Sequence, residues 1–295
     1  MKSIQVIFFA SSTLLELASA RTFTVFNGCP FTMWPAMFTG VGTAPDFATG
    51  WEAAEFTSVT FTVPDNWQAG RIWGRRDCDF TTNPGPNSCL DGGCNGGLVC
   101  DPVTGTGVPP ATLAEFTLST NPSIPDNYDG QLLDFLFRWS RSILGISFPG
   151  RWVQLTYEVE FLFWMKLPEL KTVFLMFSVT TNVNCPVASC PVDLGPNCPA
   201  PLIGPFDSTG FPVGCKSACD ANLDGDPANS PNCCSGQFNT PATCPSSGVE
   251  FYSYFKDNCP DSYAYAFDES SGTALWTCDS TLAADYTVTF CPPPS

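Results

Sequence analysis

Polar and apolar residues alternate in short runs near both ends of this chain. Thr22-Phe23-Thr24-Val25-Phe26, Val59-Thr60-Phe61-Thr62-Val63, Ala114-Glu115-Phe116-Thr117-Leu118 and Tyr286-Thr287-Val288-Thr289-Phe290 each put every second residue on one face. That period of two is the mark of a half-buried strand. Strands toward both termini predict one sandwich that the chain leaves and re-enters. Residues 192–259 lose the alternation and are rich in Pro, Gly, Asn and Asp. They predict a lobe of loops in which only Val249-Glu250-Phe251-Tyr252-Ser253-Tyr254-Phe255 reads as a short helix, with Tyr252 and Phe255 on one face. The 28 Pro and 24 Gly of the whole chain favour turns over long helices. The expected class is mainly β.

Two apolar stretches follow neither period. In the first, Lys2 precedes the mostly apolar run Val6 to Leu15, and Ala18-Ser19-Ala20 fits small-residue cleavage. This predicts a secretory signal over 1–20 and a domain over 21–295; the apolar run is too short to span a membrane. The second stretch, 135–177, has no Cys, eleven aromatics and five of the twelve Lys and Arg. Charges such as Arg138, Arg151 and Lys166 interrupt it too often for a membrane span. Three origins account for it: translated intron or gene-model error, a lineage-specific insertion, or an amphipathic arm for a membrane or partner.

The chain has 16 Cys and no His. An even, dense cysteine set behind a secretion signal reads as a disulfide framework. Zinc sites usually recruit His beside Cys, so no metal site is expected. Lack of His also removes Ser-His-Asp and Cys-His catalysis. Asp91-Gly92-Gly93-Cys94 sits between cysteines rather than before a helix, so it is no phosphate loop. The net charge of −16 argues against nucleic acid and against anionic membrane surfaces. Carboxylates remain, and they suffice for glycoside hydrolysis. No cofactor is expected.

Gly70 to Cys100 carries a more specific signal. Gly70-Arg71-Ile72-Trp73-Gly74-Arg75 leads into four cysteines and ends Cys94-Asn95-Gly96-Gly97-Leu98-Val99-Cys100. Pro109-Pro110-Ala111-Thr112-Leu113-Ala114-Glu115-Phe116, the pair Cys233-Cys234, Cys259-Pro260-Asp261-Ser262-Tyr263 and Thr289-Phe290-Cys291-Pro292 follow in order. This series resembles the thaumatin-like proteins over nearly all of 21–292, in the small, acidic, secreted form of fungal type. The loop ending at Cys100 is one residue longer than the usual plant form. The family's G-[FY]-N-[LVI]-P segment is absent, and 135–177 stands in that region.

The resemblance implies a thaumatin-like flattened β-sandwich with a disulfide-rich lobe at 192–259 and a small disulfide-held subdomain at 76–110. It implies the pairs Cys29–Cys291, Cys78–Cys89, Cys94–Cys100, Cys185–Cys278, Cys190–Cys259, Cys198–Cys215, Cys219–Cys233 and Cys234–Cys244. Antifungal members line an acidic cleft with one Arg, one Glu and three Asp, which fall here on Arg71, Glu115, Asp129, Asp134 and Asp268. Glu115 would be the general acid, with Asp134 or Asp129 as base or nucleophile, and Arg71 and Asp268 would bind substrate. The bland alternative is a set of solvated surface acids. Trp73, Phe116, Tyr128 and Tyr265 lie near these motifs; Trp73 and Phe116 are expected in the core, and Tyr128 is open to either role. The implied partner is β-1,3-glucan or a related cell-wall polysaccharide, bound by a secreted, extracellular or wall-located monomer without stable membrane insertion. The implied activity is a weak endo-β-1,3-glucanase; the alternatives are a non-enzymatic defence or wall-binding protein, or an inhibitor of a secreted hydrolase.

Overall fold

The runs of alternating residues become the strands that carry the inner core. A computed structural model describes residues 20–82, 84–131 and 176–293. The expected signal up to residue 19, Asp134, and residues 135–175 lie outside the described residues. One five-stranded sheet runs β3 (Ser58–Pro64), β1 (Ala20–Asn27), β10 (Tyr286–Phe290), β7 (Phe177–Thr181) and β8 (Ala188–Cys190). The second runs β2 (Ala36–Val41), β4 (Gln68–Trp73), β5 (Leu113–Thr117), β6 (Asp126–Gln131) and β9 (Trp276–Cys278). Strands β1 and β10 pair in parallel, with Phe23 opposite Tyr286, so the two ends of the described chain share the middle of one sheet.

The inner faces meet through aromatics. The Phe23 ring meets Phe116 of the other sheet edge-on at 4.9 Å, and Tyr286 meets Phe116 and Tyr128 edge-on at 5.6 and 5.5 Å. Trp67 stacks on Phe116 at 5.9 Å. Such pairs add to the burial energy of each ring. Phe116 and Tyr128 are therefore core residues, and Tyr265 is buried as well. Trp73 fills a separate small cluster with Ala36, Cys94 and Cys100, and its indole N–H donates to the Gly92 carbonyl at 2.8 Å.

Eight disulfides leave no cysteine free, and they are the pairs that the family pattern implies. Arg75 ties the small disulfide loops to the sheet: it is fully buried and donates to the carbonyls of Trp34, Gly97 and Leu98 at 2.9, 2.6 and 2.7 Å.

One expectation needs correction. The helix runs Tyr252–Asn258, later than 249–255, because Phe251 sits in the left-handed region at φ 59° and closes the preceding turn. Phe255 is buried on that helix and Tyr252 only half-buried. Of the 135–177 stretch, Met176 and Phe177 are described: Phe177 is buried, opens β7 and stands opposite Phe290 and Cys190. The carbonyl of Met176 also accepts from Cys291 N–H at 2.6 Å.

Candidate functional site

Alternation along β5 sends Ala114 and Phe116 inward and Glu115 to the opposite face. Register then assembles a row. Arg71 on β4 stands opposite Glu115 on β5, and Glu115 stands opposite Asp129 on β6. Directly opposed residues in antiparallel strands hold their Cβ atoms about 4.5–5.5 Å apart. Phe38 on β2 extends the row beyond Arg71 and is half-buried. Gly70 makes the approach possible from below: a Cβ there would lie 2.4 Å from the Trp67 ring, so only glycine lets β4 pass over the core indole beside Arg71.

Three of the five expected residues thus come together. Glu115 is ion-paired with Arg71 Nε through one oxygen and accepts from Gln131 Nε2 at 3.1 Å through the other. The Arg71 and Glu115 side chains keep 20% and 17% of their exposure and form the lip of the site. Asp129 lies beneath, fully buried, and neither carboxyl oxygen has a hydrogen-bond partner among the described residues. Asp134, expected as the fourth member, lies outside the described residues.

Asp268 is engaged with other partners. It is fully buried, and its oxygens accept from Tyr252 Oη at 2.8 Å and Ala264 N–H at 3.0 Å, with Lys256 Nζ at 3.0 Å. Those contacts engage both carboxyl oxygens and tie the 263–268 loop to the helix. The next residue, Glu269, acts electrostatically on Asp129 and on Tyr263 and is only half-buried. Tyr263 itself is buried beside β6, its N–H bonded to Gly130 carbonyl at 3.0 Å. The sequence assigns no site role to Gln131, Tyr263 or Glu269. For Glu269 the adjacent acid pair was the available signal, and Tyr263 closes the Cys259-Pro260-Asp261-Ser262-Tyr263 motif; for Gln131 there was none.

The electrostatics follow from this packing. Burial, then the neighbouring charge of Glu115, pushes the Asp129 carboxyl well above the usual carboxylate range, with Arg71 acting the other way and Glu269 adding to the rise. Burial also raises Glu115, opposed by the charge and hydrogen bond of Arg71. Burial raises the Tyr263 phenol, with Asp129 the first charge acting on it. Among the described residues no group of three or more Cys, Asp or Glu side chains is arranged to hold a metal ion, and no helix is long and apolar enough to cross a membrane.

A pH dependence follows with a definite sign. The folded state holds the Asp129 proton more tightly than the unfolded chain, whose Asp titrates near about 3.9. The stabilising contribution is therefore full below that value and is lost as pH rises toward the folded-state one. Urea midpoints should fall from pH 4 to pH 8, and Asp129→Asn should flatten that slope. An unchanged slope in the variant would contradict the placement of a buried proton here.

Residues 27–292 match the thaumatin family. The chain is 34% identical over 276 residues to pathogenesis-related thaumatin-like protein 3.5 of Cryptomeria japonica, covering 93% of this chain and 91% of the relative. It is 35% identical over 272 residues to thaumatin-like protein 1 of Pyrus pyrifolia, covering 92% and 90%. Among solved structures, that of the thaumatin-like xylanase inhibitor TLXI aligns over 92% of this chain and 99% of its own at 15% identity, with a TM-score of 0.39.

Proposed function

This chain belongs to the thaumatin family, and we propose from that premise that it is a secreted defence or cell-wall protein that binds β-1,3-glucan and hydrolyses it slowly. The observation that carries this reading is the cross-strand row Arg71–Glu115–Asp129 on the outer face of the second sheet. Two carboxyls in unlike surroundings are the equipment of a glycosidase: one gives a proton to the leaving oxygen while the other meets the positive charge that develops on the sugar. Phe38, half-buried opposite Arg71, is the aromatic that would lie against a sugar face. The dense disulfides fit an oxidising, extracellular location.

Release of reducing ends from laminarin by the purified protein tests the catalytic part. Glu115→Gln keeps the side-chain shape and should lower the rate by at least about 100-fold, with the thermal midpoint checked in parallel. Equal rates in the two proteins would remove Glu115 from the chemistry. The complete burial of Asp129 favours a second reading, binding without turnover. Retention on insoluble β-1,3-glucan but not on chitin or cellulose, with no sugar released, would support the binder. No retention on any of the three would turn the reading toward a protein target such as a secreted hydrolase.

A further inference from the structure

Beneath the lip of this site the chain leaves two polar groups without partners. Neither oxygen of Asp129, a fully buried residue, and not the hydroxyl of Tyr263, in a residue only 3% exposed, finds a hydrogen bond among the described residues. Both belong to one small region: the Tyr263 backbone bonds to Gly130, next to Asp129, and forms a parallel bridge with Gln131. A buried polar group left unpaired destabilises the fold. Two of them in one region, with the Asp129 charge acting on the Tyr263 phenol, fit a place whose hydrogen bonds are completed from outside.

The partners of Glu115 are of the opposite kind. Arg71 Nε and Gln131 Nε2 are both donors. Donors on both oxygens suit a carboxylate anion and leave a carboxylic O–H no acceptor among them. With Glu115 held as the anion, a second carboxylate directly across the strand pair would be charged in dry surroundings with no donor of its own. Glu269, acting from the 268–271 turn, opposes that charge as well. Arg71 is the one cation acting on Asp129 among its named neighbours, and it is already engaged with Glu115.

We propose that Asp129 and Tyr263 form a pair of O–H donors for one oxygen of the bound saccharide, with Asp129 carrying the proton that the family pattern assigns to Glu115. A neutral carboxyl beside a tyrosine, both in an apolar setting, is a known way to offer two strong donors to one oxygen. The saccharide rests on the glucan reading above; the place of the proton does not. Solvent reaches Arg71 and Glu115 but not the donors, so the entering sugar has to part the lip to meet them.

The full chain is used for the test. With carbon-13 placed in glutamate carboxyls alone, nuclear magnetic resonance at pH 6.5 should find every glutamate ionised, whereas aspartate labelling should show a protonated carboxyl that disappears in Asp129→Asn. A protonated glutamate that disappears in Glu115→Gln overturns the assignment, and this reading needs no ligand. Tyr263→Phe should weaken laminarin binding roughly tenfold while leaving the thermal midpoint equal or higher, because the lost hydroxyl has no partner among the described residues. A lowered midpoint would make that hydroxyl structural, and unchanged binding would exclude it from the site; either result overturns its donor role. If the unmodified protein does not bind laminarin, the glucan reading and the sugar-oxygen half of this proposal fall together, while the labelled glutamates still decide where the proton sits.

Discussion

Replacing Cys29 and Cys291 together by Ala should lower the thermal midpoint by roughly 10–15 °C. The bridge joins residues 262 apart in sequence. In the chain-entropy account, a link across a loop of this length removes about 4–5 kcal/mol of freedom from the unfolded chain. For a domain of this size each kcal/mol moves the midpoint by about 2–4 °C. The bridge also sits just beyond the parallel β1–β10 pairing, where Asn27 stands opposite Phe290. Gly28 N–H donates to the Phe290 carbonyl at 2.9 Å, and the backbone there is so close that a Cβ on Gly28 would lie 2.8 Å from the same oxygen. Without the bridge, parallel strands from opposite ends of the chain must find each other by diffusion alone. Calorimetry of the oxidised double variant checks this. A loss of less than about 3 °C would mean that the other seven bridges already hold the termini together, and that the longest loop carries little of the stability.

The parts of the fold legible in the sequence are the runs in which polar and apolar residues alternate. Strands β1, β3 and β5 alternate in burial as well, while β10 alternates in sequence with four of its five residues buried; all four lie within two residues of the expected bounds. Strand β7 has all five residues buried, and Phe177-Ser178-Val179-Thr180 alternates too, but its first residue falls within the 135–177 stretch that the sequence sets apart, so the run is cut short. Strand β6, Asp-Asn-Tyr-Asp-Gly-Gln, has the composition of a turn. It is a strand because Asp126 is fully paired inside the sandwich and Tyr128 fills the core, both tertiary facts.

The site divides along similar lines. Arg71, Glu115 and Asp129 lie on three strands whose mutual register no local pattern states; the family motifs supplied the residues, and the sheet supplied their adjacency. Asp268 and Glu269 are neighbours in a single turn of four residues. Which of the two turns inward depends on Tyr252 and Lys256 from the helix, and spacing along the chain carries no trace of that choice. Tyr263 is one of several tyrosines in its segment, and its unpartnered hydroxyl becomes visible only once its surroundings are packed.

Asp126→Ala should destabilise the protein by about 3–5 kcal/mol, as removal of one partner from a buried ion pair does. Arg21 on β1 belongs to one sheet and Asp126 on β6 to the other, and both are buried. Arg21 Nη1 meets Asp126 Oδ2 at 2.5 Å, and its Nε reaches Asp65 at 3.1 Å. Asp126 also accepts from Tyr286 Oη at 2.9 Å and from Ser119 N–H at 2.9 Å, while Arg21 donates to the Ala284 carbonyl at 3.3 Å. The pair is thus an ionic latch between two otherwise apolar faces, with strands β1, β6 and β10 meeting on one carboxylate. Truncating Asp126 strands the guanidinium in the sandwich with Asp65 as its one remaining ion-pair partner among the described residues. Arg21→Met should cost a similar amount, because the Asp126 charge would then be stranded instead. Combining Arg21→Met with Asp126→Ala removes both charges, so its cost should fall clearly short of the sum of the two single losses. Denaturant unfolding of the four proteins measures the coupling directly. Strictly additive losses would show that the two side chains stabilise the sandwich independently, and that the latch between the sheets is apolar.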